Sequence, residues 1–251
     1  MDLGLKHARV LVTAGAGGIG RAIAEAFLEE GAIVHVCDVD DAALAILPAG
    51  ITGEHCDVSD RAAVAAMFGR INRLDVLVNN AGIAGPTGLV EEIHVEDWDR
   101  CLDICLTGQF NVTRLAIPLL RASANPSITN LSSAAGRFGF GMRAPYSAAK
   151  WGVIGFTKSL AIELGGAGIR VNAILPGLVS GDRQRRVLEA KAQARGVSYE
   201  TVETQALAYA SIKDFVTARQ LADQILLLAS PRGKTTSGQA IAIDGDMQML
   251  F

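Results

Sequence analysis

Strand-like runs recur near positions 9–13, 33–37, 51–55, 76–79, 127–131, 170–174 and 240–243. The first reads Arg9-Val10-Leu11-Val12-Thr13 and the second Ile33-Val34-His35-Val36-Cys37. Runs rich in β-branched residues suit strands buried on both faces. Helical patterns lie between most of them, beginning with an amphipathic segment from Arg21 to Glu30. Strand alternating with helix implies right-handed β-α-β crossovers. The expected class is α/β, a doubly wound parallel sheet flanked by helices on both faces. In such a sheet the site lies at the carboxyl ends of the strands. One region breaks the alternation. Between Pro176 and Val216 two polar helical stretches, about 183–195 and 198–210, are joined at Gly196. No internal repeat, linker or low-complexity segment interrupts the chain.

The first strand runs into Ala14-Gly15-Ala16-Gly17-Gly18-Ile19-Gly20. Strand, glycine turn and helix form the context of a dinucleotide fingerprint, and Gly15, Gly17 and Gly20 fit its spacing. Glycines let the backbone approach a pyrophosphate, and a helix N-terminus offers unpaired N–H groups and partial positive charge. The second strand ends at Asp38. An acid there takes the adenosine ribose hydroxyls and repels a 2′-phosphate. No Lys or Arg lies within Ala14–Gly20. The expected cofactor is therefore NAD rather than NADP.

Tyr146 and Lys150 are four residues apart, with Ser133 thirteen residues upstream. On a helix, positions i and i+4 share a face. A neighbouring ammonium favours the phenolate. A serine hydroxyl would hold a substrate oxygen while the tyrosine exchanges a proton with it. That is general acid–base equipment for interconverting an alcohol and a carbonyl. The pair alone is common, and only its company gives it weight.

Composition narrows the classes. A chain of 251 residues suits one α/β domain, and half its residues are apolar. The net charge of −3 argues against nonspecific nucleic-acid or anionic-membrane binding. Cysteines at 37, 56, 101 and 105 show no metal spacing, and the histidines at 7, 35, 55 and 94 are scattered. No metal site is expected, and the cysteines are read as reduced thiols of a cytoplasmic protein. No apolar run is long enough to span a bilayer. The chain enters its first strand almost at once, without a basic-plus-apolar leader.

Together these residues resemble the classical short-chain dehydrogenase/reductase family, over essentially all of residues 1–251. Asn79-Asn80-Ala81-Gly82 matches the family's Asn-Asn-Ala-Gly element, and Ser133, Tyr146 and Lys150 match its catalytic serine, tyrosine and lysine. The resemblance implies a Rossmann-type, seven-stranded sheet in the order 3-2-1-4-5-6-7. It implies cofactor contacts from Gly15, Gly17, Gly18 and Ile19, from Asp57 and Val58 at the adenine, and from Asn80, Ala81 and Gly82. Pro176, Gly177 and Val179 would line the nicotinamide side. Lys150 would also bind the nicotinamide ribose, beside Tyr146. Residues of about 181–216 would form a substrate lid, and the subunits a homotetramer with the apolar Met-Leu-Phe tail near a contact. Three positions depart from the pattern. Ala14 replaces the first loop glycine. Cys105 replaces an asparagine that holds a helix kink and a proton-relay water. Gly181 replaces a threonine, with Ser180 beside it as the substitute for a carboxamide contact.

Arg183, Arg185 and Arg186 open the lid region, while Arg137 and Arg143 lie between the serine and the tyrosine. These are read first as a solvated basic face, with a clamp for a substrate carboxylate or phosphate as the alternative. Arg143 is the preferred substrate contact, then Arg183. The expected activity is NAD-dependent interconversion of a secondary alcohol and a ketone. The substrate is expected to be a small sugar, polyol or hydroxy acid. The alternatives are an NADP-dependent 3-oxoacyl thioester reductase and a nucleotide-binding regulator without turnover.

Overall fold

The computed structural model describes residues 2–250, without the side chains of Arg183, Ala190 and Ala194. The first half alternates β1 (Arg9–Thr13), α1 (Gly18–Glu29), β2 (Ile33–Asp38), α2 (Asp41–Ala45), β3 (Ile51–His55), α3 (Arg61–Phe68) and β4 (Val76–Asn79). The second half runs α4 (Val95–Leu102), α5 (Gly108–Leu120), β5 (Ser127–Leu131), α6 (Ala144–Gly165) and β6 (Arg170–Pro176). It closes with α7 (Asp182–Arg195), α8 (Tyr199–Ala208), α9 (Ala218–Ala229) and β7 (Ala240–Ile243). The strands form one parallel sheet in the order β3-β2-β1-β4-β5-β6-β7. Strand positions agree with the apolar runs, β2 and β6 extending one and two residues further.

Alternation along each strand feeds two cores. Val10 and Val12 point into one, with Val34, Val36 and Val76, beneath α1 and α9. Leu11, Leu77 and Ile128 point into the other, beneath α3, α5 and α6. Strand order reverses between β1 and β4, so the loops leaving them diverge and open a crevice. A buried polar ladder fixes the sheet beneath that crevice. Asn79 donates to Thr113 Oγ1 and Asn130 Oδ1, and Asn130 donates to Thr157 Oγ1. It joins β4 and β5 to α5 and α6.

Between α4 and α5 the helix widens into a π-turn at Asp103–Thr107. Such turns bend helices and occur often at functional sites. The two lid helices fall close to the expected ranges, and Gly196 ends α7 in the left-handed region at φ 62°. Among the described residues no helix is long and apolar enough to cross a membrane.

Candidate active site

The crevice is a cavity of about 810 Å³ over the carboxyl ends of the strands. At one end the glycine loop leaves β1. Its glycines do different work. A Cβ on Gly20 would fall 2.1 Å from the Ala14 carbonyl oxygen, and one on Gly15 would fall 2.6 Å from Val36. Gly20 and Gly15 are therefore packing glycines. Gly17 and Gly18 face open space and line the cavity. Gly17 caps α1 without any side-chain bond. The first amides of that helix are thus left for an anionic ligand. This is the fit a pyrophosphate requires.

The loop is held from β4. Asn80 Nδ2 donates to the carbonyls of Thr13 and Ala14, each at 3.0 Å. The amides of Asn80 and Ala81 both donate to Thr13 Oγ1 at 3.0 Å. Asp38 lines the cavity at the end of β2, its carboxylate accepting from the amides of Ala16, Val39 and Asp40. No basic side chain stands in the glycine turn. Arg21 instead pairs with Glu25 one helical turn on, at 2.8 Å.

The opposite wall comes from β5 and α6. Ser133 begins the turn after β5, its Oγ accepting from the Ala135 amide at 3.1 Å. That turn is pressed on α6: Ser132 Oγ donates to the Lys150 carbonyl at 2.7 Å. A Cβ on Gly136 would lie 2.4 Å from the same Ser132 oxygen, so only glycine fits. Tyr146 and Lys150 occupy one face of α6, with the ammonium 5.7 Å from the phenol ring centroid. Lys150 is 4% exposed and donates to the Leu131 carbonyl at 2.8 Å. Burial of an ammonium is costly unless it is bonded. Its position at the cavity wall is fixed by that carbonyl. Ser133, Tyr146 and Lys150 thus share a cavity with Gly17, Gly18, Ile19, Asp38, Asn80 and Gly82. Pro176, Gly177 and Val179 complete its wall after β6.

Gly15, Ala81, Asp57 and Val58 are not among the residues that line this cavity. Asp57 accepts from the amide and hydroxyl of Ser59, and the Val58 carbonyl accepts from Asn111 at 3.0 Å. Arg137 is drawn away from the substrate space. Its Nη2 donates to Asp244 Oδ2 and the Met247 carbonyl, both at 2.9 Å. Arg143 does reach the cavity, 7% exposed, donating to the Ala84 carbonyl. The side chain of Arg183 lies outside the described residues. Ser180 lines the cavity and bonds weakly to the Val216 carbonyl at 3.4 Å.

Cys105 sits in the π-turn and is fully buried. Its thiol donates to the Ile83 carbonyl and accepts from the Ile83 amide, both at 3.4 Å. One donor and one acceptor are what an asparagine amide would offer there. Cys101, one turn earlier, has its pKa pushed up, first by the neighbouring Cys105 and then by burial. It is a packing thiol rather than a nucleophile. All four cysteines are buried and unlinked by disulfides. Among the described residues, no cluster of His, Cys, Asp or Glu could hold a metal ion.

The tail and Lys191 of the expected lid also contribute, which the sequence did not signal. Met249 and Leu250 line the cavity of their own chain, and Met247 is buried at its edge. Apolar character at the terminus suggested a subunit contact, but gave no clue that the chain turns back. Lys191 faces the cavity from α7. On a helix as polar as α7 a lysine reads as a solvated charge.

A glycine turn at a strand-order reversal, facing a serine, tyrosine and lysine, defines a nicotinamide-dependent oxidoreductase. A family model described as enoyl-(acyl carrier protein) reductase matches residues 14–248. The chain belongs to the classical short-chain dehydrogenase/reductase family. It is 36% identical to a 3-oxoacyl-[acyl-carrier-protein] reductase of Thermotoga maritima, over 94% of this chain and 96% of that protein. It is 38% identical to the trans-4-hydroxycyclohexanecarboxylate dehydrogenase of Sinomonas cyclohexanicum, over 97% and 87% respectively. Its fold matches L-sorbose reductase from Gluconobacter frateurii, solved with NADPH and L-sorbose. The TM-score is 0.91 at 26% identity, with each chain covered completely. The chain is therefore an NAD(P)-dependent dehydrogenase or reductase acting on alcohol and ketone groups.

Proposed function

We propose that the protein interconverts a secondary alcohol and a ketone on a small polar substrate, with NAD as cofactor. One observation carries this reading: Ser133, Tyr146 and Lys150 line the same cavity as the open glycines Gly17 and Gly18. Gly17, Gly18 and the first amides of α1 would hold the pyrophosphate, and Asp38 the adenosine ribose. Lys150 would hold the nicotinamide ribose. When bound, the cofactor supplies hydride acceptance at its nicotinamide ring. Ser133 orients the reacting oxygen. Tyr146 takes the hydroxyl proton in oxidation and returns it in reduction. The Lys150 ammonium stabilises charge that develops on the phenol oxygen. Residues 181–216 act as the lid of one catalytic domain that spans the chain, and exclude water when closed.

Asp38 favours NAD, because a carboxylate at the end of β2 repels a 2′-phosphate. A second reading, an NADP-dependent 3-oxoacyl thioester reductase, is favoured by the 36% identity to the Thermotoga reductase. The trans-4-hydroxycyclohexanecarboxylate dehydrogenase points instead to a hydroxy acid. We assign the protein to the cytoplasm as a homotetramer. The test is nicotinamide reduction with NAD or NADP over sugars, polyols and hydroxy acids. Tyr146→Phe should lower turnover by about 10²–10⁴-fold, the usual worth of a positioned acid–base group, while cofactor binding persists. Full activity in that variant would remove Tyr146 from the mechanism.

A further inference from the structure

Phe140 forms a shelf in the cavity wall beside Tyr146. Two cations approach it from different parts of the fold. The Arg143 guanidinium, at the start of α6, lies 5.3 Å from the Phe140 ring centroid and 5.5 Å from that of Tyr146. The Lys191 ammonium, on α7, lies 5.3 Å from the Phe140 centroid. Arg143 belongs to the scaffold, fixed by its bond to the Ala84 carbonyl. Lys191 belongs to the lid. Burial, then the charges of Arg143 and Arg195, hold the Lys191 pKa below the ordinary lysine value. Like charges converging on an apolar surface repel each other, and an anion between them relieves that repulsion.

We propose that Arg143 and Lys191 form an anion subsite that grips a carboxylate of the substrate, bridging the scaffold to the lid. The inference rests on the dehydrogenase reading and names its substrate class: hydroxy acids and the corresponding oxo acids. The Arg143 guanidinium lies beside the Tyr146 ring, so a carboxylate held there keeps the reacting carbinol near the phenol. A guanidinium offers a planar fork and an ammonium a compact charge, a combination suited to carboxylate oxygens. Asp182, in the first turn of α7, lines the same cavity. It disfavours a phosphate dianion more than a monoanionic carboxylate. Because one cation rides on the lid, an acid substrate also draws the lid closed, which a neutral polyol does not.

The test compares gluconate, sorbitol and sorbitol 6-phosphate on the whole protein. Calorimetry on the NADH-loaded form reads binding without turnover, and NAD reduction reads kcat and KM. Gluconate should bind at least tenfold tighter than either other ligand. Lys191→Gln should raise the gluconate KM at least tenfold and lower kcat less than threefold, so that the preference over sorbitol collapses. Arg143→Lys, which keeps the charge and a shorter reach, should lose less of that preference than Arg143→Gln. Binding of sorbitol as tight as that of gluconate overturns the proposal. So does a preference for the phosphate, or a gluconate preference that survives Lys191→Gln. Failure to bind NADH at all would strike the dehydrogenase reading. Retained NADH binding without acid preference strikes this inference alone.

Discussion

The glycine loop and the lid face each other across one cavity, yet they are held in different ways. The start of the loop is tied to the sheet: Asn80 bonds the Thr13 and Ala14 carbonyls, and Asp38 bonds the Ala16 amide. Helices α7 and α8 are instead tied mainly to each other. Leu188, Ala192, Val202 and Ala206 make a small core of their own, apart from the two cores of the sheet. The segment after α8 is tied to the chain's return, where the Ser211 and Ile212 amides donate to the Asp246 and Gly245 carbonyls and the Gln248 amide donates to that of Tyr209. The exposed Arg185–Glu189 pair of α7 adds little, because such surface pairs contribute about 0–1 kcal/mol. Preorganisation at the cofactor end and a separable unit at the substrate end suit a fixed cofactor and a substrate that must enter and leave.

If the rigid end selects the cofactor, its acid should dominate that choice. Asp38→Asn keeps an oxygen to accept the loop amides but removes the charge. A charge-assisted hydrogen bond contributes about 1.5–3 kcal/mol. The KM for NAD should therefore rise about 10–100-fold, and the ratio of kcat/KM for NAD over NADP should fall by at least as much. Measuring both cofactors on wild type and variant decides it. A wild type that prefers NADP would overturn the role of Asp38 and strengthen the thioester-reductase reading.

The same difference explains what could be read in the sequence. The sheet was legible because buried parallel strands leave continuous apolar runs such as Val76-Leu77-Val78, and the glycine turn because its spacing has a mechanical cause. Tyr146 and Lys150 were legible because helix periodicity alone puts them on one face. Lys191 was not, since a lysine on a mostly polar helix reads as a solvated charge, although Leu188 and Ala192 beside it are buried. Arg143 was preferred to Arg137 in sequence for its place three residues before Tyr146. The return of the chain at Asp244 and Met247 separates them further, by giving Arg137 partners more than a hundred residues away. Thr13 reads as the last residue of a strand, and its bonds to the Asn80 and Ala81 amides cross from one strand end to another.

Cys105 lies between the two ends, and it sharpens the comparison. Its thiol satisfies both polar groups of the Ile83 peptide at a fully buried position. Cys105→Ala would leave that amide and carbonyl unpaired, at a cost of about 1–3 kcal/mol. For a chain of this size each kcal/mol moves Tm by about 2–4 °C, so a loss of about 2–12 °C is expected. Turnover should fall with it, because the Ile83 peptide and Lys150 both line the cavity. Cys105→Asn restores a donor and an acceptor, and should keep or raise activity. A variant that folds normally but loses turnover as asparagine would show that the thiol serves the reaction itself.

Ala14 tests whether the rigid end carries strain. It sits at φ 49°, in the left-handed region that disfavours any residue with a Cβ, and it replaces a glycine of the family pattern. That conformation costs about 1–2 kcal/mol. Ala14→Gly removes the cost but frees the unfolded chain, which offsets about 0.4–1 kcal/mol. The net gain should be about 0.5 kcal/mol, a rise in Tm of about 1–2 °C by thermal unfolding. The KM for NAD should change less than threefold, since the Asn80 bonds to the Thr13 and Ala14 carbonyls involve no side chain of Ala14. A fall in Tm would mean that the Ala14 methyl, packed against the core around Leu11 and Leu77, stabilises more than its backbone conformation costs. The alanine would then be a packing gain at the loop rather than a tolerated strain.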